Sequence, residues 1–375
     1  MKVGIIGFQR SGKTTVFNAL TGELGRRRSI ALATERGVAH SQVGGKAITN
    51  LAVVKVPDER VDRLADLMHP QKVVHASVEY HDIAGMERED VEKKIGLGEE
   101  QLRALANMDV LLAVIRAFDD GSGIAPDIPG DVEAIRLELL ISDLQKVENR
   151  LPKVEKTLHK VAGKELEQAR HEFAALNKVK GILEKDLPVR SAELFDEETK
   201  ILRGFMLLTM KPLLFVLNIG EELLNDERDP LSLFPLPPHL EGERFAAMCG
   251  EIESEICQLS SEERLIFLQD YHISEQGAEK IIRLCYDLLG YISFFTMNPK
   301  ELHAWTLIGG TTAVHAAGAV HSDMEHGFIR AEVVRWDNLL RAGGFSHAKK
   351  TADVHIEGKD YKVQDGDVIQ FLFNV

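Results

Sequence analysis

The sequence contains few cysteines and no long apolar run. Its three cysteines, Cys249, Cys257 and Cys285, form no CxxC pair, so a disulfide framework is not expected and a reducing compartment fits best. No stretch approaches the roughly 18 apolar residues that are needed to cross a bilayer. The apolar run at residues 3–6 is too short for a signal peptide. We therefore expect a cytoplasmic protein without a membrane partner.

The sequence is also short of basic residues. It has 45 Lys and Arg against 59 Asp and Glu, a net charge of −14, which argues against general coating of nucleic acid or anionic membrane. Sequence-specific DNA binding is not expected either. The short basic run Arg26–Arg28 could form a local basic face, although a solvated run is the simpler interpretation. With 375 residues, the chain can form two or three domains.

The clearest feature that is present is a glycine-rich loop near the start of the chain. Residues 7–14, GFQRSGKT, match the phosphate-loop pattern GxxxxGK[ST] between a predicted strand and a predicted helix. The loop amides would surround phosphates at a helix N-terminus, with Lys13 at the β- and γ-phosphates and Thr14 on Mg²⁺. A chance glycine-rich turn is the alternative, which the order of strand, loop and helix disfavours. The predicted phosphate-binding residues are Gly7, Gln9, Arg10, Ser11, Gly12, Lys13, Thr14 and Thr15.

Three further apolar runs are predicted strands of one parallel sheet. The run at 77–81 ends in Asp82-Ile83-Ala84-Gly85, the DxxG form of switch GTPases. In that form, Asp82 would hold a Mg²⁺-bound water and the Gly85 N–H would meet the γ-phosphate. The runs at 110–115 and 213–217 are apolar throughout, as is typical of parallel strands covered on both faces.

The last of these runs leads into a candidate base-reading segment, Asn218-Ile219-Gly220-Glu221. GTPases carry NKxD here, and its Asp accepts hydrogen bonds from guanine. This chain has NxxE instead, without the Lys and with a longer acid, so guanine recognition does not follow. Asn218 and Glu221 are therefore candidates for base recognition, and an ordinary loop is the alternative.

At this point the residues resemble a known family, the YchF-type Obg-like ATPases of the translation-factor class. The likeness runs over nearly the whole chain and includes VPDER at 56–60 and GLG at 96–98. Its most specific part is a C-terminal block comprising Ala304–Thr306, Ala316–Gly318, Glu325–Glu332 and Glu357–Asp367.

The resemblance implies an α/β P-loop NTPase with a doubly wound, mostly parallel sheet. An antiparallel helical coiled-coil insertion and a C-terminal β-grasp domain, the ubiquitin-like TGS module, would complete the fold. It also implies an ATP-preferring NTPase that uses Mg²⁺ and associates with ribosomes, because members with NxxE can accept adenine. Ala247 and Met248 occupy the position where the family closes around the base. The predicted segments are 1–131 and 204–290 for the P-loop domain, 132–203 for the insertion and 291–375 for the TGS-like domain.

The insertion can also be predicted from its heptad pattern. Apolar residues with spacings of three and four form a seam over about three and a half repeats. Pro152 lies within this seam and predicts a kink or a break, and a second helix with its own seam follows the turn at 162–164. Such a hairpin could be an arm that binds a partner, or could simply close its own core. The first seam comprises Leu137, Leu140, Leu144, Val147, Leu151, Val154, Leu158 and Val161.

Four departures from the family pattern bear on catalysis. Arg10 replaces an Asn that can help to hold K⁺, so a guanidinium could supply that charge and make turnover independent of K⁺; the alternative is that Arg10 points to solvent. Met86 follows Gly85 and cannot orient a water. The stretch 119–126 lacks the His that the family often carries there. Finally, Lys46 replaces a Thr near Mg²⁺, for which Thr49 is a possible substitute.

These observations predict an NTPase that hydrolyses ATP, and possibly GTP, slowly to the diphosphate. Lys13, Arg10 and Gly85 are the predicted catalytic residues, and Thr14 and Asp82 are predicted to hold the metal. Two alternatives remain open. A nucleotide-gated binding protein would hydrolyse little and act through its arm and TGS domain, and a P-loop kinase is a more distant alternative.

Overall fold

The computed structural model describes residues 1–22, 50–86, 97–224, 229–234, 236–240, 242–271, 273 and 275–374. The chain forms two compact units. The first comprises Met1–Val54 and Glu79–Ile281, and the second comprises Lys55–Val78 and Ile282–Val375. The predicted first switch with Arg26–Arg28, Lys46 and Thr49, and Gly96 of the GLG motif, lie outside the described residues.

Strands and helices alternate along much of the described chain. The strands are β1 (Lys2–Gly7), β2 (Asn50–Lys55), β3 (Lys72–Val74), β4 (Ser77–Asp82), β5 (Val110–Ala117), β6 (Leu213–Ile219), β7 (Arg244–Met248), β8 (Tyr291–Met297), β9 (Glu301–Ile308), β10 (Phe328–Arg335), β11 (His355–Glu357) and β12 (Asp367–Phe373). The helices are α1 (13–22), α2 (Glu59–Met68), α3 (Glu99–Ala106), α4 (Ile128–Leu158), α5 (Lys164–Leu183), α6 (Asp196–Arg203), α7 (Gly250–Ile256), α8 (Ser261–Asp270), α9 (Gly277–Leu289), α10 (Ala313–Val320), α11 (Ser322–His326), α12 (Trp336–Ala342) and α13 (Phe345–Lys350).

A parallel arrangement organises the sheet of the first unit, whose strand order is β2-β4-β1-β5-β6-β7. β1 pairs in parallel with β4 and β5, and β6 pairs in parallel with β5 and β7. Every residue of β5 and β6 is buried, as their uninterrupted apolar runs predict. The mostly parallel sheet is therefore confirmed. Because parallel strands end at the same edge, the segments that follow β1, β4 and β6 meet there, where open α/β sheets bind ligands.

The predicted helical insertion consists mainly of α4 and α5, which are joined by a short turn. α4 runs unbroken through Pro152, so of the two effects predicted for this proline the break is wrong and the kink stays a prediction. Pro152 is exposed, and water can hydrogen-bond the carbonyl that a proline leaves unpaired. Leu140, Val147 and Val154 of the predicted seam are buried in a cluster that also contains apolar residues of α5 and α6. The seam is therefore filled within the chain itself.

The first half of α4 belongs to the core of the first sheet instead of to the arm. Leu137, the first residue of the predicted seam, is 40% exposed, so the prediction is wrong at this position. Val132, Ile135 and Leu139 are buried among residues of β5 and β6. The helix therefore has two apolar stripes. The first stripe starts at Ile128, the first residue of the helix, and packs on the sheet, and the second packs within the helical insertion.

The second unit contains a mixed six-stranded sheet with the order β11-β10-β12-β8-β9-β3. β8 and β9 are antiparallel, β12 runs parallel to β8, and β10 is antiparallel to β12 and β11. Ala313, Ala316 and Ala317 of α10 are fully buried in a cluster with this sheet, because small side chains let a helix lie close to a sheet. The C-terminal part of the chain is therefore a β domain, in which β8 begins at Tyr291.

Residues 55–78 belong to the second unit, although the sequence-based division puts them in the P-loop domain. β3 pairs in parallel with β9. α2 buries Val61 and Leu64 completely, in one cluster with Phe295 and Leu302. The apolar face of α2 therefore finds its partners in the C-terminal sheet.

The VPDER motif ties this segment to the rest of the second unit. Asp58 caps α2 by accepting a hydrogen bond from the Arg60 backbone N–H at 3.0 Å. The Arg60 guanidinium pairs with Asp58 at 2.8 Å and with Asp365 at 2.6 Å, and lies 5.3 Å from the centre of the Phe295 ring. These contacts give the motif a structural role.

Candidate nucleotide-binding site

The glycine-rich loop between β1 and α1 depends on two glycines. A Cβ on Gly7 would lie 2.6 Å from the Val114 carbonyl oxygen, and one on Gly12 would lie 2.0 Å from Asn218 Nδ2. Gly12 also has φ of 77°, a left-handed conformation that glycine adopts without strain. The loop can therefore pack against β5 and the end of β6 only with glycine at both positions.

Lys13 and Asp82 converge beside this loop. Lys13 Nζ lies 2.9 Å from Asp82 Oδ1, and the two side chains are only 10% and 7% exposed. Lys13 also donates a hydrogen bond to the Ile83 carbonyl, and Asp82 Oδ2 accepts one from Asn50 Nδ2 at 3.2 Å. The lysine of the GxxxxGK motif and the acid of the DxxG motif thus face one site, as the sequence predicts.

Backbone hydrogen bonds join the loop to the DxxG segment. The Gln9 N–H donates to the Met86 carbonyl at 3.0 Å, and the Met86 N–H donates to the Gly7 carbonyl at 3.0 Å. A Cβ on Gly85 would lie 3.5 Å from Gln9 Cγ, so Gly85 is next to the loop. Met86 itself is 5% exposed and packs in the core. Its thioether therefore cannot orient a water, as predicted.

The side chains at the start of α1 fit a nucleotide with Mg²⁺. Thr14 is exposed and leaves its hydroxyl accessible, while Asp82 supplies a carboxylate. Mg²⁺ prefers such oxygen ligands and keeps several waters. The buried Ser11 hydroxyl has no hydrogen-bond partner among the described residues, which leaves a donor in the loop for a ligand. The described residues contain no cluster of three or more His, Cys, Asp or Glu that could hold a metal, and a site shared with phosphates needs none.

Arg10 adopts a left-handed backbone conformation, with φ of 63°, which is uncommon for a residue other than glycine. Its side chain is exposed and lines a cavity of about 150 Å³ with Arg116, Asp120 and Asp131. Hydrogen bonds from Ser122 lower the pKa of Asp120, and the charges of Arg116 and Arg10 lower it further. The guanidinium of Arg10 therefore lies in a partly acidic setting beside the loop.

Arg116 organises the segment after β5 that lacks the family's His. It pairs with Asp120 at 3.0 Å and donates hydrogen bonds to the carbonyls of Ile124 at 3.0 Å and Ala125 at 3.3 Å. Arg116 is only 8% exposed. No sequence pattern indicated this role, because an arginine in an apolar strand has no motif of its own.

Asn218 acts as a clasp between two backbone segments. Its Nδ2 donates to the Ser11 carbonyl at 3.1 Å, and its Oδ1 accepts from the Gly250 N–H at 2.9 Å. The side chain is 4% exposed, which suits two hydrogen bonds with backbone groups. It therefore connects the phosphate loop with the start of α7.

Glu221 lies at the start of the short 3-10 helix Glu221–Leu223 and is exposed. Its Oε1 accepts a hydrogen bond from the Tyr271 hydroxyl at 2.9 Å. This hydrogen bond is the main cause that raises the pKa of Tyr271, so the tyrosine stays a donor at neutral pH. The sequence could not indicate Tyr271, because it lies outside every motif.

The remaining predicted residues lie near the end of β7 and at the start of α1. Ala247 is half-buried and Met248 is 3% exposed, and Met248 lies beside Asn218 in the sheet register. The half-buried Thr15 lies near Gly250, since a Cβ on that glycine would be 3.5 Å from Thr15 Cγ2. The structure thus brings the loop, Asp82, Gly85, Asn218 and the end of β7 into one region. No helix within the described ranges could span a membrane.

Two known protein families match the N-terminal and the C-terminal part of the chain. Residues 2–178 match the family described as 50S ribosome-binding GTPase. Residues 291–374 match the YchF GTPase C-terminal family, described as a protein of unknown function (DUF933).

Full-length relatives extend this match to the whole chain. The chain is 37% identical to the ribosome-binding ATPase YchF of Bacillus subtilis, with 100% of both chains covered. It is 36% identical to the ribosome-binding ATPase YchF of Haemophilus ducreyi, with 100% of this chain and 99% of the relative covered. The structure of the Schizosaccharomyces pombe YchF GTPase superposes with a TM-score of 0.79 at 26% identity, covering 99% of this chain and 97% of the other. The chain therefore belongs to the YchF family, in which an Obg-like P-loop GTPase domain with a helical insertion precedes a YchF C-terminal domain.

Proposed function

We propose that this protein is a Mg²⁺-dependent ATPase that prefers ATP to GTP, turns over slowly and associates with ribosomes in the cytoplasm. The observation that carries the proposal is the convergence of Lys13 and Asp82 at 2.9 Å beside the glycine loop. A lysine that reaches phosphates and an acid that reaches the metal must share one site in a P-loop NTPase.

The roles of the individual residues follow from their positions. The amides of residues 7–14 and the ammonium of Lys13 bind the phosphates, while Thr14 and Asp82 hold Mg²⁺. When bound, Mg²⁺ neutralises part of the phosphate charge. The Gly85 N–H, next to the loop, binds the γ-phosphate, and Lys13 stabilises the charge that develops during attack by water.

The base is read by the carboxylate of Glu221. Asn218 contributes by holding Ser11 and Gly250 in place, and Ala247 and Met248 border the base. The NxxE segment replaces NKxD, so the preference for ATP depends on this one acid.

Isothermal titration of nucleotide-free protein with ATP and GTP in Mg²⁺ tests these assignments. Asp82→Asn should weaken the Mg²⁺ dependence of binding. Asp62→Asn is the matched control, since this acid lies in the first turn of α2 in the second unit. Tighter binding of GTP than of ATP would overturn the preference, and absence of binding would overturn the assignment of the site.

Arg10 supplies the positive charge that K⁺ provides when an Asn occupies this position. Its position in the loop and its unusual φ of 63° support this role, because strained residues concentrate at functional sites. We expect the wild type to turn over equally in K⁺ and Na⁺, and Arg10→Ala to lose about 100-fold or more in turnover.

The matched variant is Arg10→Asn, because asparagine tolerates a left-handed conformation and restores an oxygen ligand. This variant should turn over faster in K⁺ than in Na⁺. Strong K⁺ stimulation of the wild type would contradict the role of Arg10.

Ribosome association is supported by the names of the relatives, which are ribosome-binding ATPases. Co-sedimentation with ribosomes in ATP, ADP and nucleotide-free buffers tests it. Lys13→Ala serves as the control that lacks the nucleotide contact. Failure to sediment in any of these buffers would remove ribosome binding from the proposal.

One observation favours a second candidate function, a nucleotide-gated binding protein that hydrolyses little. Met86 is buried, and the segment at 119–126 contains no His, so neither a polar side chain after the DxxG motif nor an imidazole in this segment can assist the attacking water. Single-turnover assays distinguish the two. Slow but complete conversion of bound ATP to ADP supports an ATPase, whereas partner affinity that differs between ATP and ADP without conversion supports gating.

A further inference from the structure

A tyrosine outside the sequence motifs holds the acid that is proposed to read the base. The Tyr271 hydroxyl donates a hydrogen bond to Glu221 Oε1 at 2.9 Å. We propose that Tyr271 is a specificity-determining residue, which disfavours guanine by engaging one of the two oxygens of the Glu221 carboxylate and fixing the orientation of the group. This inference rests on the proposed role of Glu221 in reading the base.

The position of the tyrosine ring is well defined. Tyr271 follows the last residue of α8, and its N–H donates to the Phe267 carbonyl at 3.1 Å. The two rings stack with centres 4.5 Å apart and planes inclined by 17°. Both rings also pack against the core of the first unit. The hydroxyl is therefore presented to Glu221 by an anchored ring.

The carboxylate is restrained from its own side as well. Glu221 begins a 3-10 helix in which the Leu223 N–H donates to the Gly220 carbonyl at 3.2 Å and the Leu224 N–H donates to the Glu221 carbonyl at 3.0 Å. Leu223 and Leu224 pack against the same core as Tyr271. Since both partners are anchored, the hydrogen bond sets the orientation of the carboxylate.

The two bases make different demands on this carboxylate. Guanine offers two adjacent donors, its N1–H and its 2-amino group, which together engage both oxygens of a freely oriented carboxylate. Adenine offers one donor group, its 6-amino group, beside an acceptor nitrogen. The tyrosine hydrogen bond takes one of the two lone pairs of Oε1, weakens that oxygen as a second acceptor and fixes the orientation of the carboxylate, while Oε2 can still accept one donor freely. The Glu221 carboxylate therefore loses more hydrogen-bond energy with guanine than with adenine.

The decisive variant is Tyr271→Phe, which removes the hydroxyl and keeps the ring that stacks on Phe267. One recovered hydrogen bond to a charged group is worth about a tenfold change in affinity. We therefore expect the ratio of the GTP Kd to the ATP Kd to fall by about tenfold, measured by titration. A fall of about threefold or more supports the proposal, and a smaller fall or a rise overturns it.

Two control variants show whether a change in the ratio of the GTP Kd to the ATP Kd comes from the contact between Tyr271 and Glu221. Tyr286→Phe removes a hydrogen-bonded tyrosine hydroxyl in the second unit and should leave the ratio unchanged. Glu221→Gln should change the ratio if this acid reads the base. If Glu221→Gln has no effect, the proposed base reader is wrong. If it has an effect and Tyr271→Phe does not, only the role of Tyr271 is wrong.

Inosine triphosphate tests the same idea in the unmodified protein, because hypoxanthine keeps the N1–H and lacks the 2-amino group. If Tyr271 prevents contact with that amino group, the wild type should bind GTP and inosine triphosphate within about threefold of each other. In Tyr271→Phe, GTP should bind about tenfold tighter than inosine triphosphate. A wild type that already prefers GTP by more than threefold overturns the proposal, whether or not the variant folds.

Discussion

Replacing Asn218 by alanine should loosen the phosphate loop without changing which base is preferred. The side chain is 4% exposed and joins the Ser11 carbonyl to the Gly250 N–H, at 3.1 Å and 2.9 Å. Alanine removes both hydrogen bonds and leaves two backbone groups without their partner. The perturbation therefore acts on the framework of the site.

The size of the effect follows from these two hydrogen bonds. A buried polar group that loses its partner costs about 1–3 kcal/mol, so the variant should lose about 2–6 kcal/mol of stability. For a domain of this size, 1 kcal/mol lowers the Tm by about 2–4 °C. We therefore expect thermal unfolding of Asn218→Ala to shift down by about 4 °C or more. The Kd values for ATP and GTP should rise together, with their ratio constant within about threefold.

The matched control is Asn177→Ala in α5. Its exposed amide donates a hydrogen bond to the Phe173 carbonyl at 2.8 Å, and surface substitutions of this kind change stability by less than about 0.5 kcal/mol. Two results would refute the reasoning. An unchanged Tm for Asn218→Ala would show that the clasp is not needed, and a tenfold change in the ATP to GTP ratio would make Asn218 a base reader.

Two further predictions concern other parts of the chain. Glu243→Gln removes a carboxylate that Arg136 contacts at 3.1 Å and Arg190 at 2.6 Å. Because the acid is only 8% exposed, we expect the free energy of unfolding, measured by thermal unfolding, to fall by about 3–5 kcal/mol. A fall below about 1 kcal/mol would contradict this expectation. Burial lowers the pKa of His303 from 6.5, and its ring stacks on Trp305 at 3.8 Å. Since the folded pKa lies below the unfolded one, the stabilisation is complete above pH 6.5 and is lost as the pH falls through the folded pKa. Tryptophan fluorescence should therefore titrate with a midpoint below 6.5 that His303→Phe abolishes, and a midpoint at or above 6.5 would contradict the sign.

The central strands of the first sheet could be predicted from their local sequence. Buried parallel strands need uninterrupted apolar runs, so β5 and β6 could be located from composition alone. Pairing between distant segments has no such signal. β3 has only three residues, and its partner β9 lies much later in the chain, so nothing local indicated that residues 55–78 join the C-terminal sheet. For the same reason, the heptad pattern of α4 could not show that Leu137 leaves the seam.

In the candidate site, too, features with a local sequence pattern could be predicted, whereas contacts between distant residues could not. The glycine loop was predictable because its work is done by backbone amides, and the glycines that allow this geometry have a fixed spacing. Asn218 was predicted from its motif as a candidate for base recognition, which stays a prediction, and its partners Ser11 and Gly250 could not be predicted because they lie far away along the chain. Tyr271 could not be predicted, because a hydroxyl that contacts an acid needs no particular spacing.

The contacts of Asn218 and of Tyr271 suggest separate functions for the two ends of the NxxE segment, with Asn218 supporting phosphate binding and Glu221 base recognition. Both polar ends of the Asn218 amide are engaged by backbone groups, so in the proposed site the amide supports the loop that binds the phosphates. Glu221 has one oxygen engaged by Tyr271, so in the proposed site the orientation of this carboxylate distinguishes the bases. If this division holds, Asn218→Ala and Tyr271→Phe should have opposite signatures. The first should weaken both nucleotides equally, and the second should change their ratio. Because the two side chains share no partner, their effects should also add in the double variant within about 0.5 kcal/mol, and a larger deviation would mean that phosphate grip and base reading are one coupled task.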